Sequence, residues 1–523
     1  MISSSRSDAP DSRSSRFSAT DMPISSPHPE YEASAIKWSR VRDVKAGSDE
    51  VKAAGARYLP RLGGQTTSDY DQYRYRAMFL PVVSRTIRTL VGLSTFKRPT
   101  LTGPARLDDI EESIGTEGQP LDRMAASIME EQVSVGRVGA LVDVDPEDST
   151  APPAVSLYHA ENIINWDTSM IQGREVATTV VLKEKRLSRS AQDPYLREYE
   201  EIYRELGFGT PPARTSPIED YALRESDMEQ GVYYQVIWSR PKDDKGRPAG
   251  DWSRESVVVP RGAGGAPLRE IPFVCFNSAH LGMKVGEVPM DDLATINLSH
   301  YLNSADLEHG RHFTALPTAW LAGFEFEGDV HIGSTKAWVT DNDSAKAGYL
   351  EFTGAGLNHL QSGMEQKERL MAVVGVRFLE TGYGGPEKPE TLRLRQQGDR
   401  ANLVSMMDVV EDGINTLLGY CLFFMAAVTG QESIKFSMAR DFTETRLDPN
   451  LLAQYINAVQ SGLLSWESFV HVLSTTGTLP DGVDADEEAR RLLAGIPGSP
   501  SVAVGGEPAP EEPEEDEEEP EDE

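Results

Sequence analysis

The chain has 523 residues, 39% of them hydrophobic, and 51 Lys and Arg against 83 Asp and Glu give a formal net charge of −32. That length accommodates two to four domains or one elongated multi-part subunit, while the charge excludes a protein that wraps DNA tightly, since tight binding relies on Lys and Arg displacing counterions. Two cysteines, Cys275 and Cys421, exclude a disulfide scaffold in a chain of this size and fit a reducing compartment.

Residues 1–29 are Ser, Pro, Arg and Asp with almost nothing to bury, which predicts a disordered arm. No apolar stretch follows the start, so a secretory signal is not expected. Tyr31 to about Lys52 predicts a surface helix. In YRYRAMFLPVVSRTIRTLVG, Phe79, Val83, Ile87 and Leu90 share one helical side and Arg74, Arg85 and Arg88 the opposite one. Pro81 must kink or restart this helix, and Gly92 offers an end signal. Leu121–Ser134 predicts an amphipathic helix, and GRVGALVDVD (136–145) a strand entered through a glycine turn. Residues 150–280 are β-rich, with candidate strands AVSLYHA, EVATTVVLKEKRL, GVYYQVIWSR, RESVVVP and IPFVCF. The polar segment 189–228 between the second and third of these is expected to be a variable insertion.

From Pro289 the pattern is helical. A first helix, 289–313, opens with Pro and two aspartates. A small β-rich unit follows at 314–356 (ALPTAWLAGF, HIGSTKAWVT, AKAGYLEF), then a second helix at 357–380. A Gly/Pro-rich decapeptide, Thr381–Glu390, leads to the longest helix, 391–428. There Leu403, Met407, Val410, Ile414, Leu417 and Cys421 form one continuous apolar stripe. Ile414–Val428 is shorter than the ~20 residues of a membrane span. The stretch LDPNLLAQYINAVQSGLLSWESFVHVLSTTG predicts a helical end domain, and Glu507–Glu523 holds twelve carboxylates and no cation. The simplest role of that tail is a self-repelling, solubilising run.

Catalytic motifs are scarce. No GxxxxGK[ST] loop and no G-x-S-x-G elbow occur, and RGAGGAP (261–267) reads as a hairpin turn. Glu308, His309 and His312 lack the H-E-x-x-H order and read as a solvated helix face rather than a metal site. Both cysteines sit in apolar runs that favour the inert thiol. The expectation is therefore a protein that is not an enzyme and uses no cofactor or metal. Two helices of near-equal length around a β-rich unit make a poor monomer. The charges Glu365, Lys367, Glu368 and Arg369 and the sparse apolar stripe of the second helix predict packing against copies of the same chain, head to tail, in a ring.

At these residues the sequence resembles the portal proteins of tailed bacteriophages, the ring-shaped head-to-tail connectors, and within them a subfamily long described as a domain of unknown function. The stretches that carry the resemblance are YRYRAMFLPVVSRTIRTLVGLSTFKRP (73–99), GRVGALVDVD (136–145), AENIINW (160–166), MDDLATINLSHYLNSADLEHGRHFTALPTAWLAG (290–323) and SIKFSMARDFTETRLDPNLLAQYINAVQSGLLSWESF (433–469). The last is similar to the strand plus "G-x-[IL]-S" helices that follow the long helix of many portals. The resemblance implies an α+β, elongated subunit with a disordered arm (1–29), a wing of helices then β-rich structure (30–288), stem helices (289–313 and 357–380) around a clip (314–356), a tunnel loop (381–390), a long wing helix with its following strand (391–439), a crown (440–495) and a disordered acidic tail (496–523). It implies a ring of twelve subunits at one capsid vertex, through which double-stranded DNA is packaged by a separate terminase and later ejected. Neck proteins would attach at the clip, with major capsid and scaffolding proteins as further partners and no membrane. The chain would belong to the virion, and to the host cytoplasm during assembly.

On this resemblance Gly382, Tyr383, Gly384, Gly385, Glu387 and Lys388 would line the narrowest part of the channel. Lys388, Arg393 and Arg395 would be the cations placed for transient contact with the DNA backbone, or for pairing with Glu387, Glu390 or a neighbouring subunit. The acidic tail has no counterpart in the family pattern. It supports a second reading, an acidic-tailed assembly chaperone or nucleic-acid mimic. A third, a hydrolase using His309 and His312, predicts bound metal.

Overall fold

The computed structural model describes residues 23–144, 151–171, 173–189, 195, 197–210, 231–241, 250–315, 318–324, 339–350, 355–376, 389–425, 434–440, 449–465, 468–469 and 472–473. The chain divides into two units, Met1–Arg440 and Asp441–Glu523. The first is α+β. In chain order it contains α1 (Pro29–Ala46), α2 (Ser48–Ala53), α3 (Thr67–Arg76), α4 (Val82–Ser94), β1 (Thr100–Thr102), α5 (Asp108–Glu112), α6 (Leu121–Ser134), β2 (Arg137–Asp143), β3 (Ala154–His159), β4 (Ile163–Ile171), β5 (Arg174–Arg189), β6 (Arg197–Gly209), β7 (Val232–Ser239), β8 (Ser253–Val258), β9 (Phe273–Asn277), α7 (Asp291–Ala315), β10 (Thr318–Ala322), β11 (Lys346–Leu350), α8 (Ala355–Val376), α9 (Pro389–Met425) and β12 (Lys435–Ser437). The second unit contributes α10 (Pro449–Gln460).

Among the described residues there are four antiparallel sheets, ordered β3-β2-β9, β4-β5-β6-β7-β8, β1-β12 and β10-β11. The core lies where α9 crosses the three-stranded sheet and α6. All six residues of its predicted stripe, from Leu403 to Cys421, are buried, and Phe276 of β9 is fully enclosed. Gly413 makes this crossing possible, because a Cβ there would overlap the Phe276 ring. Asn415 in the next turn of α9 holds β12 by accepting from the Phe436 amide (2.7 Å) and donating to its carbonyl (3.2 Å). The expected turn at 261–267 is present, closed by Gly262 N–H to the Ala266 carbonyl at 2.9 Å.

Several expectations are corrected. Residues 23–28, assigned by composition to the arm, are packed: His28 stacks on Trp166 with ring centroids 4.1 Å apart, and its amide donates to Ile164. The helix expected on the surface at 31–52 is two helices that bury Trp38, Val41, Val44 and Val51. Arg42 donates to Glu131 (2.7 Å) and to Glu161 (2.9 Å), tying α1 to α6. Gly92 does not end α4, which continues to Ser94; there the hydroxyls of Ser94 and Thr95 bond the Val91 carbonyl. Pro81 does separate α3 from α4, and the break docks on α7, with Met78 N–H donating to Ser304 (2.9 Å) and Asn297 to the Leu80 carbonyl (3.1 Å).

The largest correction concerns 189–228. Residues 197–209 form β6, the middle strand of the five-stranded sheet, paired with β5 over 197–207 and with β7 over 203–209. Its charges hid it. Arg204 is enclosed in a polar cluster, donating to Glu184 (2.7 Å), Asp143 (2.9 Å) and Gln235 (2.8 Å), and so links the sheet to β2. Such a cluster is tolerated in the interior because its members satisfy one another. In the second unit, α10 ends at Gly462 with φ +71°, a left-handed cap, and Ser465 Oγ then accepts from the Ser468 amide. The G-L-L-S stretch closes α10, and beyond it the Phe469 amide donates to the Ser465 carbonyl at 3.1 Å.

Two glycines of α9 should respond in opposite directions. Gly413→Ala forces the Phe276 ring to move and is expected to cost about 1–3 kcal/mol. Gly419 has open space around it, so Gly419→Ala is expected to stabilise by about 0.5–1 kcal/mol. Urea midpoints of both variants read this directly.

A pH prediction comes from Glu131. Burial acts to raise its pKa, but hydrogen bonds from Arg42 and His159 outweigh that and hold it at about 2. A depressed carboxylate contributes stability above its unfolded value near 4.5 that is lost as pH falls towards 2. Stability of the parent should therefore decline through that window, and Glu131→Gln should flatten the decline when melting is followed against pH.

Candidate functional site: the helical hairpin and its connection to α9

α7 and α8 are antiparallel neighbours joined through the β10–β11 hairpin. Their register follows from facing residues: Gly310 with Leu357, Asn303 with Gly363, His300 with Glu368 and Leu293 with Gly375. His300 is buried, and its Nε2 lies 3.1 Å from a Glu368 carboxylate oxygen. Lys367 donates to the Ser299 carbonyl at 2.9 Å, and burial pushes its pKa down.

Two of the four charges expected to face another copy, Lys367 and Glu368, thus serve contacts with α7 within the subunit. Glu365 and Arg369 remain exposed. On α8 only Met371 and Gly375 are buried among the described side chains, and Leu370 and Val373 are 48% and 53% exposed. The other side of α7 packs on α1 and α3. Tyr73 donates to Asp306 at 2.6 Å, and Arg40 to Thr295 at 2.9 Å. The sequence carries no local sign of the His300–Glu368 pair, since its members are 68 positions apart.

α8 ends at Val376 and α9 begins at Pro389, against expected limits of 380 and 391. Proline suits the first helical turn, where its missing N–H is not needed. Gly382, Tyr383, Gly384, Gly385, Glu387 and Lys388 lie outside the described residues. Arg393 and Arg395 fall in the opening turns of α9, and their side chains lie outside the described residues. The acidic tail and the HIGSTKAW stretch of the expected clip do so too.

The histidines of the hydrolase reading have other surroundings. His309 packs edge-on against Tyr73 and Phe313, and burial, with the nearby Arg76 charge, pushes its pKa below the usual range. His312 Nε2 lies 3.3 Å from the Arg76 guanidinium. No group of three or more His, Cys, Asp or Glu that could hold a metal occurs among the described residues. Likewise, no helix among them is long and apolar enough to cross a membrane.

The family described as Domain of unknown function (DUF4055) matches residues 289–425, from the start of α7 through the end of α9. No curated protein matches the chain. Among solved structures, a chain from the neck of an empty GTA particle computed with C6 symmetry is similar, with TM-score 0.37, 11% identity, and 80% of this chain and 95% of that one covered. A chain from the virion of a native gene transfer agent (GTA) particle gives 0.36, 12%, 82% and 99%. A chain from the neck of a native GTA particle computed with C12 symmetry gives 0.36, 11%, 82% and 98%. Likeness at this level carries nothing about the partners or activity of the present chain.

Cys275 and Cys421 are both buried, and burial pushes the Cys421 thiol up to about 12 and raises that of Cys275. Neither should react with a thiol reagent in the native protein at neutral pH, and both should react after unfolding in guanidinium. Absorbance of the released chromophore counts them.

Proposed function

We propose that the chain is a phage portal subunit. It would form a closed ring at a capsid vertex through which double-stranded DNA passes, and carry no catalytic step of its own. What supports this most is α8. It uses one side to hold α7 and α4, and leaves the other, with Leu370, Ala372 and Val373, uncovered. A helix with so few buried side chains has little to hold it in place alone, because helices in proteins owe most of their stability to packing of an apolar face. Contact with a neighbouring copy would supply the missing face, and a heterologous contact repeated around an axis closes a ring.

In this arrangement α7 and α8 are the stem, and the β10–β11 hairpin at their far end is the clip that meets neck proteins. The segment 377–388 is the loop at the channel. The motor would be a separate terminase, with major capsid and scaffolding proteins surrounding the ring and twelve subunits in the virion. The net charge of −32 suits a wall past which DNA must slide, since repulsion acts within about 8 Å at physiological salt and centres the duplex without gripping it.

Leu370→Asp/Val373→Asp places two charges on the uncovered face and removes nothing from the core. The variant is expected to melt like the parent but to run as a monomer in size exclusion with light scattering, where the parent runs as a ring. A parent that is monomeric at all concentrations and salts, or a variant that still forms the ring, would count against the proposal.

A further inference from the structure

The acidic character of the chain is interrupted once. Between Asp71 and Asp108 there is no carboxylate side chain, while Arg74, Arg76, Arg85, Arg88, Lys97, Arg98 and Arg106 all fall in this stretch. Four of these cations have partners: Arg74 pairs with Asp71, Arg76 contacts Gln72 and His312, and Lys97 and Arg106 are also engaged. Arg85, Arg88 and Arg98 are exposed and make no ion pair or side-chain hydrogen bond among the described residues. The same holds for Arg123 in the first turn of α6.

Their placement is ordered. The buried side of α4 is Val83, Thr86, Ile87, Leu90 and Ser94, so Arg85 and Arg88 stand on the outward side. Thr95, seven residues after Arg88, returns to the same side just past the helix end. There a cleft of about 230 Å³ opens, lined by Ser94, Thr95, Lys97, Arg98, Asp122 and Arg123 among others. Phe96 beside it is 53% exposed. From Arg85 to Phe96 the outward face runs about 17 Å along the helix, long enough to meet the phosphates of several successive nucleotides. The one carboxylate in the cleft wall, Asp122, buries its Oδ1 and lies in the first turn of α6, where the helix dipole offsets its charge. Asp408 and Glu411 of α9 are bound to Arg440.

We infer that the outward face of α4, the 94–99 segment and Arg123 form a contact surface for the phosphate backbone of double-stranded DNA. The inference deepens the portal proposal and rests on it for the identity of the polyanion. Arg85 and Arg88 on one helix, with Arg98 and Arg123 at the cleft beyond its end, present separated positive charges that suit repeated phosphates better than a folded protein partner. Screening at physiological salt confines the repulsion of the remaining acidic surface to its own neighbourhood. The contact is accordingly weak, independent of sequence and sensitive to salt, which lets the duplex move past it.

The test is binding of a short fluorescein-labelled, mixed-sequence duplex to the full chain, followed by anisotropy across a series of KCl concentrations. Arg98→Glu/Arg123→Glu is expected to weaken binding by about tenfold or more and to lower the slope of log affinity against log salt by about two. Arg98→Lys/Arg123→Lys should keep both near the parent values, and melting curves should coincide because all these side chains are exposed. Absence of duplex binding by the parent at low salt would overturn the inference, as would an unchanged slope in the charge-reversed variant. So would displacement of the duplex by poly-glutamate at lower concentration than by unlabelled duplex, which would make the face a dock for acidic protein. A ring whose duplex binding ignores these arginines removes this inference and leaves the portal proposal standing. Arginine-dependent binding by a protein that never forms a ring does the reverse.

Discussion

The packing of α9 against the β3-β2-β9 sheet is the contact on which the rest of the first unit depends. One stripe from Leu403 to Cys421 is buried against β9, β2 and α6, and Gly413 lets the Phe276 ring approach the helix backbone. The same helix pins β12 through Asn415, and with it β1. At the end of α8, Gly375 faces Thr86 of α4 and Leu293 of α7.

Charge is distributed by the same logic. Two groups of largely enclosed charges are paired: Arg42 with Glu131 and Glu161, and Arg204 with Glu184 and Asp143. These clusters sit at joints, the first between α1 and α6 and the second between β2 and the five-stranded sheet. Breaking one would leave a buried charge alone, which costs far more than the pair contributes when intact. On the surface the balance is strongly negative, and the outward side of α4 is the exception that the proposed DNA passage accounts for.

How much of this could be read from the sequence depended on whether apolar spacing survived. The α9 stripe and the Val83–Leu90 face of α4 were legible because every member is buried and the period is regular. The break at Pro81 was legible because proline acts through backbone geometry rather than neighbours. β6 was not, since Glu200 and Arg204 occupy interior positions that only the cross-strand partners on β5 and β7 make tolerable. The buried side of α1 was missed because three residues, Trp38, Val41 and Val44, carry it among many charges. The contacts of Lys367 and Glu368 with α7 were not legible for a similar reason: their partners lie far away in the chain. Of the candidate channel residues, the sequence located the break between helices to within a few positions, from the Gly/Pro content and the two flanking periodicities. Side-chain roles within it were beyond what periodicity can say.

The most direct test of the central proposal is single-particle imaging of the purified full-length chain by electron cryomicroscopy. The account predicts closed rings of cyclic symmetry in which Leu370 and Val373 lie in the contact between neighbouring copies and the 377–388 connection faces a central channel. A discrete monomer, or an assembly with no channel and with α8 facing solvent throughout, would contradict it.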